Sequence, residues 1–165
     1  MALLLCLLGI VLAIFVPTFL RRVRTNKISE AAELLQVMSQ RASAYYETSW
    51  SSLKRHCLPP AAGPTPEAPT VESQDVDFFS SETAGHVSWK ALDFQPERPV
   101  RFSYQYAPSR DGCGLGDSSE PTAVVFRAEG DLDGDGVRST FERRATIDRD
   151  GFKAADVLLV HQRTE

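Results

Sequence analysis

Apolar and polar residues are unevenly distributed along this chain, and the sharpest change falls close to the N-terminus. Residues 2–20 carry no charged side chain and are followed by Arg21, Arg22 and Arg24. As a helix rising 1.5 Å per residue, this stretch spans roughly 28 Å, close to the ~30 Å hydrocarbon core of a bilayer. The pattern predicts a transmembrane helix half over residues 1–24. A cleaved signal peptide is the alternative, but such peptides carry their basic residues before the apolar core.

A second pattern follows the arginines, in which apolar residues recur at spacings of three and four. These positions are Ile28, Ala31, Leu35, Met38, Ala42 and Tyr45. The spacing places them on one face of a helix, with charged and polar residues between them. We therefore expect an amphipathic helix half over residues 25–56, continuous with the membrane segment. Its apolar stripe is expected to pack against the rest of the protein.

The apolar segment contains a glycine and a proline eight residues apart, Gly9 and Pro17, within the run GIVLAIFVPTF. This run is followed by the predicted amphipathic helix. Together they resemble the N-terminal segment of type IV pilins and type II secretion pseudopilins. The resemblance implies a structural, minor pilin-like subunit of a pilus or pseudopilus that assembles through its hydrophobic helix. It also implies other pilin or pseudopilin subunits and the assembly machinery as partners. The expected location is the bacterial inner membrane, as a single-pass protein with an exported C-terminal domain, or a cell-surface pilus.

The sequence departs from that family in one respect and leaves the orientation open. Family members carry a basic leader, a glycine-phenylalanine-type cleavage site and a glutamate before the apolar core, whereas here the core follows Met1 directly. We expect Met1 to be an internal methionine of a longer reading frame; the alternative is a divergent family member that the prepilin peptidase cannot process. The basic residues after the core would favour a cytoplasmic tail by the positive-inside rule. The family resemblance implies the opposite orientation.

The remainder of the chain is long enough for one small domain. Residues 57–77 are rich in proline and poor in large apolar residues, which predicts a mobile surface loop. Residues 78–165 are expected to form an antiparallel β-sheet domain. Period-two alternation or an apolar face predicts four strands, at Val100–Tyr106, at Ala123–Glu129, around Val137, Phe141, Ala145 and Ile147, and at Asp156–His161. The predicted class is α+β, pilin-like, with the long helix packed on a small meander.

Two cysteines, Cys57 and Cys113, lie outside the membrane segment, while Cys6 lies inside it. In an oxidising compartment two such cysteines usually pair, so we expect a disulfide between them. Closing this loop would stabilise the fold by about 4 kcal/mol on the chain-entropy model. Two free thiols in a cytoplasmic domain are the alternative.

An acidic motif between the second and third predicted strands is the clearest chemical signal. Residues 131–142 match D-x-D-x-D-G-x5-E, the pattern of an EF-hand calcium loop. The candidate calcium ligands are Asp131, Asp133, Asp135, the carbonyl of Val137, Ser139 and Glu142. An EF-hand needs flanking helices, whereas both flanks here predict strands. The alternative is a tight Asp-Gly hairpin turn, in which Glu142 lies too far along the returning strand to reach an ion.

Other function classes find little support in the sequence. The formal net charge of −4 does not indicate the basic surface that a nucleic-acid-binding protein needs. Neither a nucleophile elbow nor a phosphate-binding loop is present, so we do not predict an enzyme. The alternative to the filament subunit is a single-span membrane-anchored binding module with a calcium-dependent acidic loop.

Overall fold

The protein combines helices with antiparallel β-sheets in a computed structural model that describes residues 28–49, 55–117 and 119–161. Helix α1 covers residues 28–49, and helix α2 covers His86–Ala91. A short 3₁₀ turn lies at Leu115–Asp117. The chain divides into two compact units, Met1–Glu30 and Ala31–Glu165, and only residues 28–30 of the first are described.

Within the described residues, seven strands form two antiparallel sheets. They are β1 (Cys57–Leu58), β2 (Ala62–Thr65), β3 (Ser103–Pro108), β4 (Gly112–Cys113), β5 (Thr122–Gly130), β6 (Ser139–Asp148) and β7 (Gly151–His161). The larger sheet has the order β2-β3-β5-β6-β7, and the smaller one pairs β1 with β4. In the larger sheet β3, β5, β6 and β7 lie side by side in the order in which they follow along the chain, while β4 belongs to the smaller sheet. The predicted four-stranded meander is therefore confirmed.

The alternating residues of the predicted strands form the core face of the sheet. Val100, Phe102, Tyr104 and Tyr106, then Val124, Phe126 and Ala128, and finally Phe141, Ala145 and Ile147 are all buried. An aromatic cluster fills the space over β3, where the rings of Phe78, Trp89, Phe94 and Tyr104 meet edge-on or tilted. Val137 departs from the prediction: it is 43% exposed because it lies in the turn before β6 begins.

Helix α1 packs on the sheet through the stripe that the sequence predicts, with one change near its end. Ala31, Leu35, Met38 and Ala42 are fully buried. The next buried position is Tyr46, four residues after Ala42, whereas the predicted Tyr45 is half-buried. Ile28 is also half-buried. The buried stripe ends one residue later than predicted because the ring of Tyr46 stacks on His56 and also meets Phe152.

The proline-rich segment differs from the predicted surface loop. Its first part contains β1 and β2, and Leu58, Ala62 and Thr65 are buried there. Thr65 accepts a hydrogen bond from the indole N–H of Trp89, which ties β2 to α2. The prediction of a surface loop was therefore wrong for residues 57–65. Ala62 and Thr65 are buried on β2, which pairs with β3, and Thr65 is also covered by Trp89 of α2.

The predicted membrane segment over residues 1–24 lies outside the described residues. Among the residues that the structure describes, no helix is both long enough and apolar enough to cross a bilayer.

Candidate functional site

A hydrogen bond links Ser49 of α1 to the smaller sheet, and a disulfide joins the two strands of that sheet. The Ser49 hydroxyl donates to the carbonyl of Tyr46 and accepts from the backbone N–H of Cys57, each at 2.8 Å. Cys57 and Cys113 are direct partners in the β1–β4 ladder, and a disulfide joins them across 56 positions of sequence. The predicted pairing is confirmed. The bridge connects β1 to β4, the two strands of the smaller sheet.

The acidic motif forms the loop of the β5–β6 hairpin. Single oxygens of Asp131, Asp133 and Asp135 all lie within 4.8 Å of one another. Strands, and not helices, flank this loop, and the hairpin closes with Gly130 opposite Ser139. The EF-hand arrangement is therefore absent from this part of the chain. The flanking strands agree with the alternative of an Asp-Gly turn.

Backbone N–H groups already occupy the three carboxylates. The two oxygens of Asp131 accept from Gly134 at 2.8 Å and from Gly136 at 3.1 Å. Asp133 accepts from Asp135 at 3.4 Å, and Asp135 accepts from Val137 at 2.7 Å. Gly134 and Gly136 have φ of 78° and 88°, a region that glycine enters without steric cost. Each aspartate thus stabilises the turn through local side-chain-to-backbone bonds.

The later positions of the motif have other partners. The hydroxyl of Ser139 is buried and donates to the carbonyl of Gly130 at 3.3 Å. Glu142 lies opposite Arg127 in the β5–β6 ladder and is not part of the aspartate cluster. The structure therefore brings together Asp131, Asp133 and Asp135 but does not bring Glu142 to them. The three aspartates offer carboxylate oxygens of the kind that a hard cation prefers, but calcium takes six to eight oxygen ligands.

Glu142, whose side chain is buried, is instead the centre of an ion-pair cluster with two partly exposed arginines. One carboxylate oxygen accepts from Arg127 at 2.7 Å, and the other accepts from Arg144 at 2.9 Å. Burial opposes ionisation, but the hydrogen bonds and charges of the two arginines outweigh it and hold the pKa of Glu142 below its usual value. A charged glutamate can therefore stay buried at this position. The sequence contained a signal for this cluster: when Gly130 is paired with Ser139, the oppositely charged Arg127 and Glu142 face each other across the hairpin.

The second Asp-Gly turn joins β6 to β7, as the sequence predicts. Lys153 returns to this turn, and its ammonium contacts Asp148 at 2.9 Å and Asp150 at 2.6 Å. These contacts hold the pKa of Asp148 below its usual range and raise that of Lys153. Both groups are on the surface, so the cluster is a solvated turn and not a buried site.

Comparisons with known proteins give no further guide to the site. No protein-family model, no curated protein and no solved structure matches this chain.

Proposed function

We propose that this protein is a structural, non-catalytic subunit of a type IV pilus or a type II secretion pseudopilus, similar to a minor pilin. In this proposal residues 2–20 form a membrane helix that packs against neighbouring subunits during assembly. The described domain is exported and stays attached through α1. The partners are other pilin or pseudopilin subunits and the assembly machinery of the bacterial inner membrane.

The observation that carries this proposal is the way in which α1 leads into the domain. The uncharged stretch with Gly9 and Pro17 precedes a helix whose apolar stripe is buried on an antiparallel meander. This order of elements agrees with the architecture that the family resemblance implies. The fixed helix end supports a mechanical role, because Ser49 and the disulfide at Cys57 link the helix to the domain.

The disulfide also supports export of the domain. Disulfides persist in oxidising compartments such as the bacterial periplasm and are rare in the cytosol. Cys57 and Cys113 face each other in one ladder, so oxidation can join them without displacing either strand. An exported tail agrees with the family orientation and not with the orientation that the basic residues after the core would favour.

A helix replacement tests the proposal, because a tether and a filament subunit make different demands on residues 2–16. Replacing these residues by leucine keeps the segment apolar and leaves Pro17 in place. We expect the variant, expressed from its native gene context, to remain in the membrane fraction but to be lost from sheared filaments or purified secretion complexes. Leu4→Ile is the matched control and should assemble normally. Normal assembly of the leucine variant would contradict the proposal.

A second candidate function is a membrane-anchored binding module with a calcium-dependent loop. The observation that favours it is the convergence of Asp131, Asp133 and Asp135. If this loop binds calcium only in the folded protein, calcium at one hundred times the dissociation constant stabilises the fold by about 2.7 kcal/mol. The melting temperature should then rise with calcium but not with the same ionic strength of sodium chloride. Asp133→Asn with Asp135→Asn should abolish the rise, and an unchanged melting temperature in the parent protein would exclude this candidate.

A further inference from the structure

A groove lies where the end of α1 meets the disulfide and α2. It has a volume of about 310 Å³ and is open to solvent along one side. Its lining includes Tyr45, Leu58, Pro59, Val87, Ala91 and Asp111. They come from α1, from β1 and the proline-rich segment, from α2, and from the turn before β4. The groove therefore depends on the folded tertiary structure and not on one local segment.

The walls of the groove are mainly apolar, and part of this apolar surface is exposed. Leu58 and Pro59 are buried in its floor, whereas Val87 is 64% exposed at its edge. Among the described residues, Val87 is the most exposed of the large hydrophobic side chains. An exposed apolar side chain beside a buried apolar floor offers surface that a partner could remove from water.

One acid interrupts the apolar lining. Asp111 is exposed, and its carboxylate makes no ion pair or hydrogen bond to any residue that the structure describes. The Asp111 carboxylate therefore gives this side of the groove a negative charge, which favours a cation.

We propose that this groove binds a segment of a partner protein in which an apolar side chain is followed by arginine or lysine. The apolar side chain covers Val87 and Pro59, and the cation pairs with Asp111. An exposed ion pair alone contributes little, so the apolar contact must supply much of the binding. The proposal rests on the described domain and not on the membrane helix. Its failure would leave the filament function untouched, and the reverse also holds.

A peptide probe tests the charge requirement in the full-length protein held in lipid nanodiscs. The probe is acetyl-Ala-Leu-Leu-Arg-amide carrying an uncharged fluorophore, and its twin replaces arginine by the neutral isostere citrulline. Empty nanodiscs measure adsorption to lipid. We expect fluorescence anisotropy to show about fivefold tighter binding of the arginine peptide at low salt. This preference should disappear near 0.5 M salt, where the Debye length falls to about 4 Å. Equal affinities at low salt, or no binding of either peptide, would overturn the proposal.

Two surface variants locate the binding, and each has a matched control on β7. Asp111→Asn should remove the preference for arginine, while Asp156→Asn should keep it. Val87→Ser should weaken both peptides about threefold, while Val157→Ser should not, although Val157 is exposed to nearly the same degree at 62%. Indistinguishable effects of test and control variants would overturn the proposal. A further outcome is that the protein self-associates, in a way that Asp111→Asn abolishes and that excess peptide does not reverse. This result would assign the groove to a second copy of the chain and would also overturn the proposal.

Discussion

Two parts of the same hairpin carry acidic residues of one sequence motif, yet they have opposite environments. In the loop, Asp133 and Asp135 are exposed and accept hydrogen bonds from nearby backbone N–H groups. On the strand, Glu142 is only 5% exposed and pairs with Arg127 and Arg144. The difference arises from register, because β6 pairs with β5 from Ser139 onwards. A matching motif therefore does not make its carboxylates a single site.

The carboxylates of the loop make local contacts, whereas Glu142 makes a long-range one. The loop aspartates bond only to residues up to five positions away, so they stabilise a turn. Glu142 connects neighbouring strands through Arg127, which lies 15 positions earlier. Loss of the first kind of contact should loosen a turn that water can hydrate. Loss of the second leaves two arginines without their shared anion.

The largest effect is expected at Glu142. We predict that Glu142→Gln lowers the free energy of unfolding by about 2 kcal/mol, because the amide cannot neutralise both arginines. The loss should stay below that of a fully buried pair, since the side chains of Arg127 and Arg144 are 39% and 59% exposed. Urea denaturation followed by tryptophan fluorescence measures the change. Glu129→Gln, which removes the more exposed pair with Arg138, is the control and should cost at most about 0.5 kcal/mol. Equal losses would contradict the contrast.

The stabilisation by the ion pairs of Glu142 should depend on pH. The pKa of Glu142 is lowered in the folded protein, so its contribution is fully present above its unfolded value, about 4.5. That contribution is lost as the pH falls through the lower, folded pKa. We therefore predict that the difference in melting temperature between the parent protein and Glu142→Gln shrinks below pH 4.5. A difference that stays constant from pH 7 to pH 3 would show that the charge of Glu142 is not responsible.

The smallest effect is expected in the loop. Asp131→Asn keeps one acceptor but loses one of two backbone hydrogen bonds, so in calcium-free buffer it should lower the free energy of unfolding by about 0.5 kcal/mol. Urea denaturation with chelator present gives this value. A loss as large as that of Glu142→Gln would mean that the loop, and not the strand cluster, anchors the hairpin.

Much of the sheet could be predicted because alternation reports burial directly. The even positions from Val100 to Tyr106 are buried as the period-two pattern requires. Two elements gave no such signal. Helix α2 has only six residues and no side-chain cap at Gly85, so neither periodicity nor a start signal identifies it. Strand β2 contains Gly63 and Pro64, which argue against a strand, and it pairs with β3 through a shifted register.

The site was less predictable than the sheet. The disulfide followed from a count of two cysteines outside the apolar segment, because pairing needs no knowledge of register. Predicting the partners of Glu142 requires the register between β5 and β6, which a linear motif does not contain. The groove beside Asp111 was not predicted at all. Its walls come from four separate segments, and no local pattern places Tyr45, Val87 and Asp111 together.

Cross-linking within the apolar segment tests the central proposal, that residues 2–20 form a helix and that this helix is an assembly surface. In a Cys6→Ser background, single cysteines are introduced at each position from 8 to 16, and oxidation is carried out in intact membranes of the native host. The account predicts cross-links between copies, or to other subunits, that recur every three to four positions, because only one helix face meets a neighbour. Gel mobility of the oxidised products measures this directly. Absence of cross-links at every position, or equal yields at all of them, would contradict the account and leave the helix as a tether.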